Sequence, residues 1–356
     1  MSKIVSIGTA VPAYRHKQMD ILPFMQNVFA FNEVDRRKMS FQYRQCGIEA
    51  RYSVLPDFGS PIDKWHFFPQ SENLEPFPTL EDRMQKFQQT AAPLALKAIR
   101  NCLGKFPSEK VTHLITVSCT GMSAPGLDLE LMDLLQLRPD LCRVAVNFMG
   151  CYAVIQALRI ADAFCKADPN ANVLIISVEL CTLHFQKDPT TDNITSSLLF
   201  GDGAAAALVS GTENGLTIEN FCSAVDEKGR KDMVWELSSS GFLMTLSGYI
   251  PDLIEQDFGK FTHAALENAN VSKEEITHWC MHPGGKRILE AIHKSLGFND
   301  GELAHSYEVL KEYGNLSSAT ILFVLKRIMD SKPKGKIFGA ACGPGFTMET
   351  FIVTSE

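Results

Sequence analysis

Residues 147–164 read Asn147-Phe-Met-Gly-Cys-Tyr-Ala-Val-Ile-Gln-Ala-Leu-Arg-Ile-Ala-Asp-Ala-Phe164 and place a cysteine where an extended run turns into a helix. Upstream, Arg143 to Phe148 is a short apolar strand, and Met149-Gly150 supplies a tight turn. Ala153 to Phe164 is almost entirely apolar or small, the composition of a helix buried on more than one side. Cys151 therefore stands at a helix N-terminus, where free N–H groups and the positive dipole end favour thiolate over thiol, so its pKa is expected below the ordinary value of about 8.5. The same residue also suits a plain core position, because free cysteine packs as a small hydrophobe. Its surroundings have to decide.

Working outward, the first half reads as strands and helices in alternation. Residues 3–8 form a buried strand, 14–50 are largely helical, and Ser53 to Pro78, with five prolines and Trp65, Phe67 and Phe68, reads as an ordered surface loop. A helix runs from the N-cap Thr79 to Leu103, with Pro93 expected to kink or split it. Strands follow at 111–118, 172–179 and 204–210. The second half repeats this order. Thr112-His113 before one strand matches Thr277-His278 before another, 165 residues on, and Gly150-Cys151 matches Gly314-Asn315, opening a helix from Leu316 to Met329, 164 residues on. The strand at Val173 matches the one at Ile337, and more loosely Gly201-Asp-Gly203 matches Gly343-Pro-Gly345. Several matches in order indicate a duplicated α/β unit, residues 1–215 and 216–356, whose equivalent helix starts open on one central site.

Composition sets the bounds. The chain of 356 residues is 45% hydrophobic and 21% charged, ordinary for a globular enzyme with a large core. A net charge of −7 argues against a nucleic-acid or anionic-membrane binder. No run of about 18 apolar residues is present, so no membrane span is expected. The ten cysteines lack C-x-x-C spacing and H-E-x-x-H does not occur, which argues against zinc, and the N-terminal run carries no secretory pattern. A reduced, cytoplasmic setting is expected.

A cysteine nucleophile needs a partner that takes and returns a proton and a donor for a developing oxyanion. His282, ending the strand 276–281 at Met-His-Pro-Gly-Gly, and Asn315 supply both on the opposite half. Each also has a plainer role, His282 as a turn residue and Asn315 as a helix cap. Among the other histidines, His184 follows a strand end; His16, His263, His293 and His305 read as solvated, and His66 as a packed loop residue.

Together, Gly-Cys151, His282-Pro-Gly-Gly, Tyr-Gly-Asn315-x-Ser-Ser-Ala-Thr, Leu-Phe200-Gly-Asp-Gly and Gly343-Pro-Gly-Phe resemble the type III polyketide synthases, the chalcone and stilbene synthase family, over nearly the whole chain. The resemblance implies the thiolase-like fold, two related α/β halves stacked in five layers (αβαβα) and paired as a homodimer. It implies a Cys151–His282–Asn315 site on coenzyme A thioesters, with no other cofactor: Cys151 holds the starter acyl group, His282 pairs with the Cys151 thiolate as an ion pair, and His282 with Asn315 polarises malonyl-CoA for decarboxylation. Phe200 matches the gatekeeping phenylalanine. The second gate falls on Met244, and Cys119, Thr120, Cys181, His184, Ser196 and Ser317 occupy cavity positions, a set that places the chain with the bacterial branch. The methionine that plant enzymes insert into the partner's cavity has no clean match; the nearest positions are Met122-Ser-Ala124-Pro.

Coenzyme A carries phosphates, so basic groups are expected at the tunnel mouth. Lys38, Arg44 and Arg51 are the candidates, beside Arg36 and Arg37, with Gly284, Gly285 and Arg287 along the pantetheine arm. The expected activity is iterative decarboxylative condensation of malonyl-CoA onto an acyl-CoA starter, closing to a pyrone or resorcinol. The alternatives are a malonyl-primed tetrahydroxynaphthalene- or phloroglucinol-type synthase, a β-ketoacyl carrier-protein synthase III-like enzyme, a Cys-His-Asn hydrolase and a silent partner subunit. Pro283 after the histidine and Pro344 in the C-terminal loop favour the CoA-using synthase over the carrier-protein enzyme.

Overall fold

The structure, a computed structural model, describes residues 1–29 and 32–355. The first half comprises β1 (Lys3–Ala10), β2 (Tyr14–Lys17), α1 (Gln18–Val28), α2 (Glu33–Gln45), β3 (Ala50–Ser53), α3 (Leu80–Leu103) and β4 (His113–Ser118). It continues through α4 (Leu127–Leu135), β5 (Cys142–Asn147), α5 (Ala153–Ala167), β6 (Asn172–Leu180), α6 (Thr191–Leu199) and β7 (Asp202–Ser210). The second half holds β8 (Leu216–Val225), the hairpin β9 (Met233–Ser238) and β10 (Gly241–Leu246), α7 (Ile250–Ala269) and β11 (Ile276–Met281). It ends with α8 (Lys286–Leu296), α9 (Ala304–Tyr313), α10 (Thr320–Asp330), β12 (Gly335–Gly343) and β13 (Thr347–Ser355).

Nine strands share one ladder in the order β11-β12-β13-β8-β1-β7-β6-β4-β5. Read outward from the β1–β8 junction, the two wings have the same plan, and their registers agree. His113 on β4 pairs with Val173 on β6, and His278 on β11 pairs with Ile337 on β12, both in parallel. The hydroxyls of Thr112 and Thr277 each bond the Nδ1 of the following histidine, at 2.8 and 2.9 Å. The repeat is incomplete, because β5 has no counterpart beyond β11 among the described residues.

Side-chain alternation along the strands sets the layers. Leu174, Ile176 and Val178 of β6 face a cluster built on α3, whereas Val173 and Ile175 face the central cluster holding α5 and α10. Ile337 of β12 joins that central cluster, and Phe338 and Ala340 face α7 and α8. The order is helix, sheet, helix, sheet, helix, the expected five layers. Ala153, Val154, Ile155 and Ala157 of α5 have no exposed surface, as do Ile321, Val324 and Leu325 of α10, because these helices are enclosed on both sides.

Several expectations need correction. Residues 14–50 hold the strand β2 and two helices rather than one helical stretch, with β3 beginning at Ala50 and pairing β2; residues 30 and 31 within this stretch lie outside the described residues. α3 starts at Thr79 with a full capping box to Asp82, and it continues unbroken through Pro93. The lost hydrogen bond is offset by burial of Leu94, Ala95, Ala98 and Ile99 on the sheet. Gly8 lets α3 lie on β1, since a Cβ there would sit 2.1 Å from the Cys102 nitrogen. Ser53 to Pro78 is an ordered irregular segment, as expected, but only one side of it is surface: Phe58, Trp65 and Phe68 are buried in the first core, and the Asp57 carboxylate receives the backbone N–H groups of His66, Phe67 and Phe68 at 2.9–3.1 Å. His16 is buried and bonds the Leu55 carbonyl at 3.0 Å, whereas His66 is exposed.

Candidate active site

The site forms where the strand ends of both halves meet. Cys151 lies in a 3-10 turn, Gly150–Tyr152, that leads into α5. Gly150 has φ +76°, and a Cβ there would fall 2.1 Å from Cδ of Pro344, so the C-terminal Gly343-Pro344-Gly345 loop packs directly on the nucleophile turn. From the other side, the Gly150 N–H donates to Cys119 Sγ at 3.0 Å. The opposite helix start has the same form: Ser317–Ala319 is a 3-10 turn, and α10 proper begins at Thr320 rather than Leu316.

His282 extends β11 by one residue, its N–H donating to the Ala340 carbonyl at 2.9 Å. It is 4% exposed, and neither ring nitrogen has a hydrogen-bond partner among the described residues. Asn315 is held tightly. Its Oδ1 accepts from the Ser317 N–H at 2.8 Å and from the Thr320 hydroxyl at 3.4 Å, and its Nδ2 donates to the Gly284 carbonyl at 3.2 Å. Its main chain bridges Leu199 and Gly201 at 2.9 Å each, so Phe200 runs parallel beside it. Cys151 Sγ lies 4.0 Å from the Ser317 hydroxyl. Cys151, His282, Asn315 and Phe200 open on one cavity of about 650 Å³.

Burial works against charge at this site. It pushes the Cys151 thiol up to about 12 and the His282 imidazolium down to about 3. Desolvation therefore opposes the expected thiolate–imidazolium ion pair, which needs the mutual attraction of the two charges to form. Helix-terminal N–H groups lower a thiol pKa where solvent or a cation helps, and here desolvation of both groups outweighs them. Behind the nucleophile, Glu179 is fully buried; it accepts from the Cys119 N–H and the Thr120 hydroxyl, each at 3.0 Å, and from the Ser318 hydroxyl, and burial raises its pKa to about 7.

Cys119, Thr120, Cys181, His184, Ser196, Met244 and Ser317 all border the cavity, as do Gly284, Gly285 and Arg287. Arg51 borders it too, but not as a phosphate ligand at a mouth: it is 5% exposed, its Nε donating to Gln18 and its Nη1 to the Phe200 carbonyl. Lys38 and Arg44 are exposed on α2, whose Phe41, Gln42 and Gln45 form part of the cavity wall, while neither basic residue does. Lys286, beside Arg287 at the start of α8, is a lining cation that sequence reasoning passed over. Glu179 and Trp235 were also missed. The second had a readable signal, because Trp235 is the cross-strand partner of Met244 in the β9–β10 hairpin, and its indole N–H donates to the Cys119 carbonyl at 2.7 Å. Among the described residues no group of three His, Cys, Asp or Glu is placed to hold a metal ion, and no helix is long and apolar enough to cross a membrane.

Comparison with known proteins agrees with this geometry. Residues 1–213 match the family model "Chalcone and stilbene synthases, N-terminal domain" and residues 201–356 the corresponding C-terminal domain. A Bacillus subtilis protein named "Putative chalcone synthase" is 32% identical, covering 100% of this chain and 99% of its own. A Mycobacterium tuberculosis protein named for alpha-pyrone synthesis is 29% identical over 98% of this chain and 90% of its own. The solved C-terminal type III polyketide synthase domain of Steely1 from Dictyostelium superposes with a TM-score of 0.92 at 27% identity, covering 99% of both chains. Two family models that jointly span the chain, on a duplicated thiolase-like fold with Cys151, His282 and Asn315 around one cavity, establish that this chain belongs to the chalcone and stilbene synthase family of type III polyketide synthases.

Proposed function

We propose that the chain condenses malonyl-CoA repeatedly onto an acyl group carried by Cys151, and that the product closes to a pyrone or a resorcinol. The observation that carries this is His282: a buried imidazole whose two nitrogens have no hydrogen-bond partner among the described residues, sharing a cavity with a buried thiol and a fixed amide. As Cys151 attacks the starter thioester, its proton passes to His282; the CoA thiolate leaves and takes that proton back. For extension, His282 and Asn315 then hydrogen-bond the thioester oxygen of malonyl-CoA. An amide nitrogen has two N–H groups, and only one of Asn315's is used by Gly284, which leaves the other for the substrate. Carbon dioxide departs, the enolate is held by both donors, and it attacks the Cys151 thioester, returning the sulfur as leaving group. Phe200 is the apolar wall that keeps water from this step.

Lys286 and Arg287, with Lys38 and Arg44 nearby on α2, are the groups we assign to the phosphates of coenzyme A, and no further cofactor is required. The relative named for alpha-pyrone synthesis supports lactone closure as the first product to look for. The working unit we propose is a cytoplasmic homodimer across β5, which among the described residues pairs only with β4 and leaves Cys142, Arg143, Ala145 and Asn147 exposed beside Met122.

The test is purified protein with radiolabelled malonyl-CoA and acyl-CoA starters from acetyl to palmitoyl, plus coumaroyl, with products read by mass. Polyketides form without carrier protein, and Cys151→Ala abolishes them while slow malonyl-CoA decarboxylation persists. Strict dependence on acyl carrier protein, or CoA hydrolysis alone, would replace this reading by the carrier-protein synthase or the hydrolase.

A further inference from the structure

The buried side of α2 is carried by Met39 and Tyr43, 1 and 2% exposed. At 3.6 residues per turn, Val34 and Phe41 stand on the opposite crest, about 10 Å apart along the axis. They are 73 and 65% exposed, more than any other large hydrophobic side chain among the described residues except the terminal Met1. Single exposed apolar residues are ordinary on a folded protein, but two aligned on the crest of one amphipathic helix leave a stripe for a partner to cover.

Cations flank the stripe. Arg37 and Arg44 lie to one side of it and Lys38 to the other; all three are exposed, and none has an ion-pair partner among the described residues. α2 holds four basic and two acidic residues in a chain whose net charge is −7. The local charge therefore opposes that of the whole, and it acts within a Debye length of about 8 Å. The face also runs into the cavity mouth. Phe41, Gln42 and Gln45 line the cavity, and past the end of α2 a Cβ on Gly47 would lie 3.3 Å from Cδ of Lys286, so the helix abuts the start of α8. A nucleotide at that mouth meets its cations without Val34, which stands about 10 Å further out than Phe41. The stripe and its cations describe a footprint larger than coenzyme A.

We propose that this face docks an acidic carrier protein, whose acyl-phosphopantetheine arm reaches Cys151 through the same mouth and supplies the starter alongside acyl-CoA. The inference rests on the condensing reading above and names a partner for its loading step. The arm has the same pantetheine thiol and phosphate as CoA, so one cavity serves both donors. Loading is a thioester exchange: the acyl carbon bonds to the Cys151 sulfur, its bond to the pantetheine sulfur breaks, and the carrier leaves as the thiol with the proton that His282 held. An acidic helix laid along α2 pairs its carboxylates with Arg37, Lys38 and Arg44 while its apolar residues cover Val34 and Phe41. An anionic bilayer fits less well, because the chain as a whole is acidic and the crest of α2 offers only two apolar side chains for insertion.

The experiment supplies one acyl group in two forms, on CoA and on a bacterial acyl carrier protein of fatty-acid synthesis, with malonyl-CoA as extender, to wild type, Val34→Glu and Val34→Lys. Val34 is exposed and outside the cavity wall, so both variants fold. With wild type, kcat/KM for the carrier-borne starter is at least tenfold above that for the CoA ester. Val34→Glu lowers the carrier value at least tenfold, Val34→Lys lowers it less than threefold, and both leave the CoA value within about twofold. A carrier no better than CoA, equal losses from Glu and Lys, or losses shared by both donors would overturn the docking face and leave the condensing reading intact. So would wild type, but not Val34→Glu, sedimenting with phosphatidylglycerol vesicles, which would give the face to a membrane instead. No polyketide and no malonyl-CoA decarboxylation with either donor would remove the condensing reading, and this proposal with it.

Discussion

Asn315 spends its carbonyl oxygen on Ser317 and Thr320 and one N–H on Gly284, and in the proposed reaction that fixing makes its remaining N–H an oxyanion donor rather than a mobile side chain. Asn315→Ala is expected to lower malonyl-CoA decarboxylation about 10²- to 10³-fold while Cys151 still becomes acylated, as intact-protein mass would show. Thr320→Val, which leaves the amide but removes one restraint, should give a smaller fall in the same step. Glu179 makes a second prediction. Its carboxyl has a folded pKa of about 7 against an ordinary 4.5, so the native state binds the proton more tightly than the unfolded chain. The stability this brings is fully present below about 4.5 and is lost as pH rises through about 7, on the order of 3 kcal/mol in all. Glu179→Gln removes that dependence, and thermal unfolding of both proteins at pH 5 and pH 8 checks it: wild type should lose more stability across the interval than the variant. That Cys151, His282 and Asn315 come together at one cavity was legible in the sequence because each stands in a short motif with a turn beside it. The depth of their burial was not, because it depends on how many layers cover them, a property no local stretch contains.

The nucleophile turn is an element built by two distant segments. Gly150 is left-handed at φ +76° and lies against Pro344, so Gly150→Ala meets both backbone strain and a collision. The variant is expected to melt several degrees lower and to lose more than 10²-fold in condensation, since a displacement of about 1 Å at the reacting atom is enough for that; calorimetry and the product assay check the two parts. Strands and buried helices were the readable elements, with period and apolar content agreeing. The stretch from Ser53 to Pro78 was read as ordered, which it is, but the depth of its aromatics was missed, because it follows from the buried Asp57 carboxylate collecting three N–H groups, a contact that has no periodic trace. Pro93 misled for the opposite reason: a strong local rule gave way to tertiary burial of α3.

At the scale of the whole molecule, the two wings meet through β1 and β8 and share the layer of α5 and α10, so the division near residue 215 that we propose is one of topology; the central core draws on both halves. The duplication was visible in the sequence as matched Thr-His pairs and helix starts, whereas the continuous ladder and the missing partner of β5 were not, since pairing between distant strands leaves no local mark. The open edge at β5 carries the dimer prediction. Light scattering should give twice the 39.5 kDa chain mass, and Ala145→Asp, which places a charge on that edge, should shift the protein towards monomer.

The bridge between Phe200 and Asn315 bears on how such an enzyme can diversify. The residues we assign as gate and decarboxylating amide are neighbours in one stretch of paired backbone, so a change that shifts the main chain at Phe200 also shifts Asn315. Variation that retunes product size while sparing turnover is therefore channelled into side chains on the other walls, Trp235, Met244, Ser196 and Ile21 among them. The fold separates positions that are free to drift from positions that are not, and evolvability is concentrated in the former.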